Sequence, residues 1–436
     1  MNDLRPYLDD EGHGANTFSE MAQAMRPSKI LVIAYEVRDR IQAGARVAPF
    51  TVGDFDPRYF QAPPELKAAI AEAVQANQTN YPPADGLPEL RSAIRDHYAR
   101  HLGLDYPIDA VTVASGARPV LYGAFRCLVS PGEKVVTPAP SWNNANFAQL
   151  VGAQHVNVPT RPEDGFMPTA EALAPHLRDA RLLVLCSPMN PAGTMMREGQ
   201  LRDICALVLE ENARRRTDGE RALYLVYDHV YRLLTFGDQE HVTPVGVMPE
   251  MARYTLFSDA ISKCFAATGL RVGWMVGPPA VMGRMKALLT HVGAWAPRPE
   301  QVAAARMLGD DEAMTRFLVP LRAGLRERLD LLYDAFEAWR VAGLPVRAIA
   351  PEGALYLSVH FDLEGRPGLP DEDAVRRYLL REAGCAIVPF SAFGDTHNRG
   401  WVRFSIGSVS LDDIHACLPR LRVALQRAVD GAGLPR

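Results

Sequence analysis

Lys263 stands in "SDAISKCFAATGLRVGW", residues 258–274, with Arg271 eight positions further on and several small residues between them. An amine that must attack a carbonyl has to be partly unprotonated, a state favoured by removal from water and by nearby cations. Arg271 supplies such a cation if the intervening loop folds back, and a guanidinium can also hold a phosphate. Asp228 closes the apolar run "ALYLVYD", where a carboxylate is costly unless it meets a cation or a hydrogen-bond donor. Tyr231 follows three residues later. In "SGARPVL" small residues precede Pro119, a good first helical position, and free N–H groups at a helix start form an anion site.

The surrounding pattern says how these residues are positioned. From about residue 60, amphipathic helical stretches such as "PELKAAIAEAVQAN" and "LPELRSAIRDHYARHL" alternate with short β-rich runs. The runs are "AVTVASG", "EKVVTPAP", "RLLVLCSP", "ALYLVYD", "YTLFSDAIS" and "VGWMVGP". Such alternation predicts an α/β fold with a mainly parallel sheet between helices. In open sheets of this kind ligands sit at the carboxyl ends of the strands, where Ser115-Gly116-Ala117, Trp142, Asn190, Asp228 and Lys263 fall. Lysine, phosphate cradle, carboxylate for a ring nitrogen and aromatic for stacking are the parts that a pyridoxal phosphate site needs.

At 436 residues the chain predicts two domains. The expected division is a mobile N-terminus over 1–15 and a segment over 16–58 that packs on the small domain. A large cofactor-binding domain over 59–305 and a small α+β domain over 306–436 follow. "FSEMAQAMRPSKILVIAYEVRDRIQAG" reads as helical, broken at Pro27 and stopped at Gly44. A formal charge of −4 gives no reason to expect nucleic acid or an anionic membrane. The six cysteines (127, 186, 205, 264, 385, 417) lack paired spacing, which argues against a metal site and a disulfide framework. The N-terminus has no apolar core of a secretory signal, and no apolar run is long enough to span a bilayer. A cytoplasmic protein is expected.

In order along the chain come "VGDFDP", "NYPPADGLPELR", "SGA", "PSW", "NPAG", "DHVY", "SK" followed by "GLRVGW", and "WVRFSIG". With these the chain resembles the fold-type-I aminotransferases of class I/II, the aspartate aminotransferase-like enzymes, from about residue 25 to about 410. The resemblance implies a seven-stranded-type sheet and pyridoxal 5'-phosphate held as a Schiff base on Lys263, which also shuttles the proton. Asp228 would pair with the ring nitrogen, Asn190 and Tyr231 with the ring oxygen, and Trp142 would stack on the ring. Backbone N–H groups of Gly116, Ala117 and Arg118, with Ser262 and Arg271, would hold the phosphate. Arg403 would clamp the substrate α-carboxylate, with Gly53 allowing close backbone approach. Tyr81 would reach the phosphate in a neighbouring subunit, so the implied assembly is a homodimer with shared active sites.

The chain departs from the family pattern at Ala260, where a phosphate-binding serine is common, at His229 and at Ser141. Singly, each residue also has an ordinary explanation. A lysine at a strand end is normally a solvated charge, Asp228 could cap a helix, Asn190 could simply suit its turn, and His229 reads as packing. Transfer of an amino group from an L-amino acid to a 2-oxo acid is the expected reaction. A lyase or synthase on the same fold is the alternative, and a cofactor-binding regulator a further one for which the N-terminal segment leaves no room. Arg26, in "MRPS", matches a position where the family meets a substrate ω-carboxylate, and aromatic or small aliphatic donors stay open.

Overall fold

The computed structural model describes residues 3–8 and 17–431. The expectation of a mobile segment over 1–15 therefore lies largely outside the described residues. Among the described residues thirteen strands follow one another along the chain. The first, β1 (Ala48–Pro49), precedes the strands of the large sheet: β2 (Val111–Ala114), β3 (Lys134–Ala139), β4 (Gln154–Pro159), β5 (Ala180–Cys186), β6 (Tyr224–Asp228), β7 (Thr255–Ala260) and β8 (Gly273–Val276). The remainder are β9 (Val346–Ala348), β10 (Tyr356–Phe361), β11 (Cys385–Ala386), β12 (Val388–Pro389) and β13 (Trp401–Ser405).

The seven-stranded sheet has the order β2-β8-β7-β6-β5-β3-β4, and its ladders are parallel except those on either side of β8. Both faces are covered. Alternation along the strands sends Leu183, Leu185, Leu225 and Tyr227 into one apolar layer and Leu182, Val184 and Val226 into the other. Six of the seven strands coincide with apolar runs in the sequence. The seventh, β4, was missed because "QHVNVP" lies at the sheet edge, half in solvent, and carries little apolar signal.

A four-stranded sheet, β12-β13-β10-β9, forms the second layer system. The helix Asp311–Val341, capped by the Asp310 side chain, packs against both the helix Arg298–Leu308 and β9. At 31 residues it is roughly 46 Å long, enough to run from one sheet's helices to the other sheet. The N-terminal segment joins this part of the molecule, since β1 pairs in parallel with β11. Helices Glu20–Ala24 and Lys29–Gln42 flank Pro27, where the sequence places the break.

Candidate active site

Five of the residues expected at strand ends, Ala117, Trp142, Asn190, Asp228 and Lys263, converge because parallel strands deliver their carboxyl ends to one side of the sheet. Asp228 is the last residue of β6, and Cys186, the last of β5, is its register partner. β7 ends at Ala260, and Lys263 sits just beyond it in a single helical turn, Ile261–Cys264, rather than on the strand itself. Gly116 precedes the helix Ala117–Leu128 with φ of 95°, a conformation that suits glycine. Asp228, Cys186, Lys263 and Ala117, which follows Gly116, line one cavity of about 560 Å³ together with Arg118, Trp142, Asn190, Tyr231, Ser262, Arg271, Arg403, Gly53 and Arg26. That volume suits a small-molecule site.

Lys263 Nζ donates to the Gly53 carbonyl and lies 5.9 Å from the centroid of the Tyr231 ring. Burial, with the positive charges of Arg403, Arg118 and Arg271, pushes its pKa down to about 8, while Asp54 pulls the other way. That is the partly neutral amine required for attack on a carbonyl. Asp228 shows the opposite displacement. Burial, with the nearby Asp259 charge, lifts its carboxyl to about 7 against the lowering effects of the Val230 N–H and Lys263. The Val230 N–H reaches Asp228 Oδ1 only at 3.3 Å, so this carboxylate is short of partners.

Arg271 folds back as its spacing suggested. Its Nη1 donates to the Thr268 carbonyl at 2.8 Å and its Nη2 to the Ser115 carbonyl at 3.2 Å. A Cβ built on Gly116 would lie 2.2 Å from Arg271 Nη2, and one on Gly273 would lie 2.5 Å from the Ala117 nitrogen. Both glycines are therefore required for the cradle to close. Arg403, on β13, is buried, and its Nη1 donates to Asn190 Oδ1 at 2.9 Å while Nη2 donates to the Thr51 carbonyl. Its guanidinium lies 4.7 Å from the ring centroids of both Tyr356 and Phe393, and its Nε has no hydrogen-bond partner among the described residues.

Other expected residues fall differently. Tyr81 is 79 % exposed, against Trp295, and does not line the cavity of its own chain. His229 points away from the cavity: its Nε2 is 2.7 Å from the Tyr98 hydroxyl and its ring stacks on Phe257. Ala260 is fully buried, and the Ser141 N–H donates to the Phe393 carbonyl at 2.9 Å. Several lining residues had no assigned role in the sequence, among them Asp54, Thr268 and Tyr356. Asp54 was within view in "VGDFDP", and the Thr268 hydroxyl donates to its Oδ1 at 2.6 Å. Tyr356 gave no signal, because "ALYLSVHF" reads as an ordinary core strand. The Arg118 side chain was also undervalued: its guanidinium lies over the Trp142 ring, 4.8 Å from the centroid.

The family model for aminotransferases of class I and II matches residues 47–421. The chain belongs to the class I and II aminotransferases. Similarity to individual members extends over almost the whole length. The chain is 30% identical over 418 residues to an aspartate/prephenate aminotransferase of Thermus thermophilus, covering 94% of this chain and 99% of that protein. A structure of aspartate aminotransferase from Thermus thermophilus with maleate has a TM-score of 0.83 and 29% identity, covering 94% of this chain and 99% of that one. An aromatic aminotransferase from Pyrococcus horikoshii has a TM-score of 0.78 at 26% identity, covering 90% and 99%. This aminotransferase is accordingly a fold-type-I enzyme dependent on pyridoxal phosphate.

The cavity of the aminotransferase fits that cofactor. A buried carboxylate with one long hydrogen bond suits a protonated ring nitrogen, and the glycine cradle with Arg271 suits a dianionic phosphate. The amine displaced towards neutrality lies between them in the same cavity. Among the described residues no helix is long and apolar enough to cross a membrane.

Proposed function

We propose that this aminotransferase takes its amino group from an L-amino acid with an acidic side chain and passes it to a 2-oxo acid. The observation that carries the reading is Arg118. Of the residues lining the cavity, Arg26, Lys29, Arg118, Lys263, Arg271 and Arg403 are cationic and only Asp54 and Asp228 are acidic. Phosphate accounts for Arg271, the substrate α-carboxylate for Arg403, and Lys263 is the amine. Arg26, Lys29 and Arg118 are left over, and Arg118 is the one on the helix that follows the phosphate cradle: it rests on Trp142, forms no ion pair among the described residues, and its pKa is lowered by partial burial and by Arg271. A guanidinium stays charged under those conditions, so an added carboxylate is its natural partner. Arg26, at the exposed mouth, is the second cation available to that carboxylate. The name aspartate/prephenate aminotransferase carried by the Thermus relative agrees with this substrate class.

When bound, pyridoxal phosphate supplies the carbonyl that takes up the amino group and the ring that spreads the charge left on the substrate carbon. Lys263 Nζ holds the cofactor between turnovers and moves the substrate's α-proton, both of which require a neutral amine. Asp228 keeps the ring nitrogen protonated, and a buried carboxylate gains by meeting that charge. Tyr231 and Asn190 serve the ring oxygen, with Asn190 Oδ1 already engaged by Arg403, so its amide N–H₂ is the group left to donate. Trp142 covers the ring. The N–H groups at Gly116, Ala117 and Arg118, with Ser262 and Arg271, take the phosphate. Arg403 fixes the α-carboxylate edge-on, with Gly53 making room.

A homodimer completes this picture, because an exposed Tyr81 that cannot reach its own cavity is available to a partner's. The two sheets and the long connecting helix support a domain division at about residues 58 and 305. Six unpaired cysteines suit a reducing cytoplasm. The deciding experiment is a donor series with aspartate, glutamate, phenylalanine and alanine, run on wild type, Arg118→Gln and Arg26→Ala. Selective loss of the two acidic donors in Arg118→Gln is expected. Equal loss across all four removes Arg118 from side-chain recognition. Ammonia release without a 2-oxo acid would identify elimination instead of transfer.

A further inference from the structure

Tyr356 is fully buried in β10, and its hydroxyl lies 2.6 Å from that of Tyr231, a residue 125 positions earlier in the chain. The Arg403 guanidinium lies over the face of the same ring, 4.7 Å from its centroid. Close packing fixes the arrangement: a Cβ added to Gly53 would lie 2.3 Å from the Tyr356 hydroxyl oxygen. We infer that Tyr356 is a positioning residue that acts on two parts of the site at once. Its hydroxyl donates to Tyr231 and so directs the Tyr231 proton to the cofactor ring oxygen. Its ring holds Arg403 in the plane in which a carboxylate is gripped.

The direction of the hydrogen bond follows from counting protons. Two hydroxyls at this distance share one bond, so one proton remains for another acceptor. If Tyr231 donated, the Tyr356 proton would be left buried against Gly53 without an acceptor, and the ring oxygen would lose its donor. If Tyr356 donates, both protons are used. A hydroxyl that accepts a hydrogen bond is also a stronger donor, so Tyr356 strengthens the bond that Tyr231 makes. Two aromatic rings, Tyr356 and Phe393, pack against the Arg403 guanidinium, each with its centroid 4.7 Å from the central carbon. A carboxylate is then best met edge-on, through the in-plane N–H groups.

This inference rests on the placement of Tyr231 at the ring oxygen and of Arg403 at the α-carboxylate. The readout is the pH midpoint of the visible absorbance change of the holoenzyme without substrate. A donor to the ring oxygen withdraws charge from it, so the proton it shares with the neighbouring nitrogen leaves at lower pH. Losing the donor raises the midpoint. The charged and titratable neighbours of the hydroxyl pair are Lys263, Asp54, Cys186 and Arg403, and the test substitutes none of them. Tyr356→Phe should raise the midpoint by roughly 0.5 pH unit. Tyr231→Phe should raise it further, and the double variant should match Tyr231→Phe alone. Tyr356→Leu should also weaken maleate binding to the holoenzyme about tenfold while Tyr356→Phe leaves it near wild type. Thermal melts of Tyr356→Phe, which keeps the ring, show that the fold is retained. An unchanged midpoint in Tyr356→Phe, or an additive shift in the double variant, overturns the inference about the hydroxyl. Equal maleate affinity in the Leu and Phe variants overturns the one about the ring. An unmoved midpoint in Tyr231→Phe itself would instead strike the placement of Tyr231.

Discussion

Arg403 Nη1 and Asn190 Oδ1 are 2.9 Å apart and join β13 of the small sheet to the loop that follows β5 of the large one. The residues are 213 positions apart, and the bond aligns the guanidinium proposed to face the substrate with the amide proposed to face the cofactor. Arg403→Lys keeps a charge but loses the planar fork, and a loss of roughly 2–3 kcal/mol in kcat/KM is expected for every amino-acid donor alike. A donor-selective loss, or none, would take the α-carboxylate away from Arg403.

Lys263 has its pKa lowered to about 8 by burial and three arginines. A lysine in water loses its proton near 10.4, about two units higher. In protein freed of cofactor, reductive methylation of Lys263 should therefore show a midpoint near pH 8 and outpace surface lysines below it. In the holoenzyme, borohydride reduction followed by peptide mapping should place the pyridoxyl group on Lys263, and Lys263→Ala should slow the half-reaction by more than about a thousandfold. A label on another lysine refutes the assignment.

Asp228 gives a stability prediction with a definite sign. Its folded pKa, about 7, lies above the ordinary value of 3.8. Between those values the folded protein binds more protons than the unfolded one, so this group's contribution to stability falls as pH rises. In cofactor-free protein Asp228→Asn should be more stable than wild type at pH 8 by about 1–2 kcal/mol, a value reduced for water in the cavity. At pH 4 the advantage should vanish. Cofactor binding should reverse the order, because only the carboxylate pairs with the ring nitrogen. Melting curves at both pH values, with and without pyridoxal phosphate, test this, and a pH-independent difference would contradict it.

Tyr81, 79 % exposed beside Trp295, predicts complementation between subunits. Co-expressed Lys263→Ala and Tyr81→Leu chains should form mixed dimers in which one site has both native residues. With random pairing about a quarter of wild-type activity should return. No recovery would place Tyr81 outside the partner's site.

Local chemistry alone determined much of this protein. Six strands of the large sheet were legible because their apolar runs end in turn residues, and Lys263, Arg271, Asp228 and Gly116 were legible because strand ends and helix starts are written in short motifs. The edge strand β4 was not, since half its side chains face solvent and its residues need not be apolar. Tertiary structure decided which distant groups meet. Tyr356 looked like any core aromatic until packing of the small sheet brought its hydroxyl to Tyr231. His229 reads as packing in the sequence, and only its partners waited on the fold. Alternation along the backbone turned it to the opposite face from Asp228, into contact with Tyr98 and Phe257. Motifs report conformations set by neighbours in the chain, whereas a hydrogen bond across 125 or 213 residues depends on how two sheets dock, which no local pattern encodes.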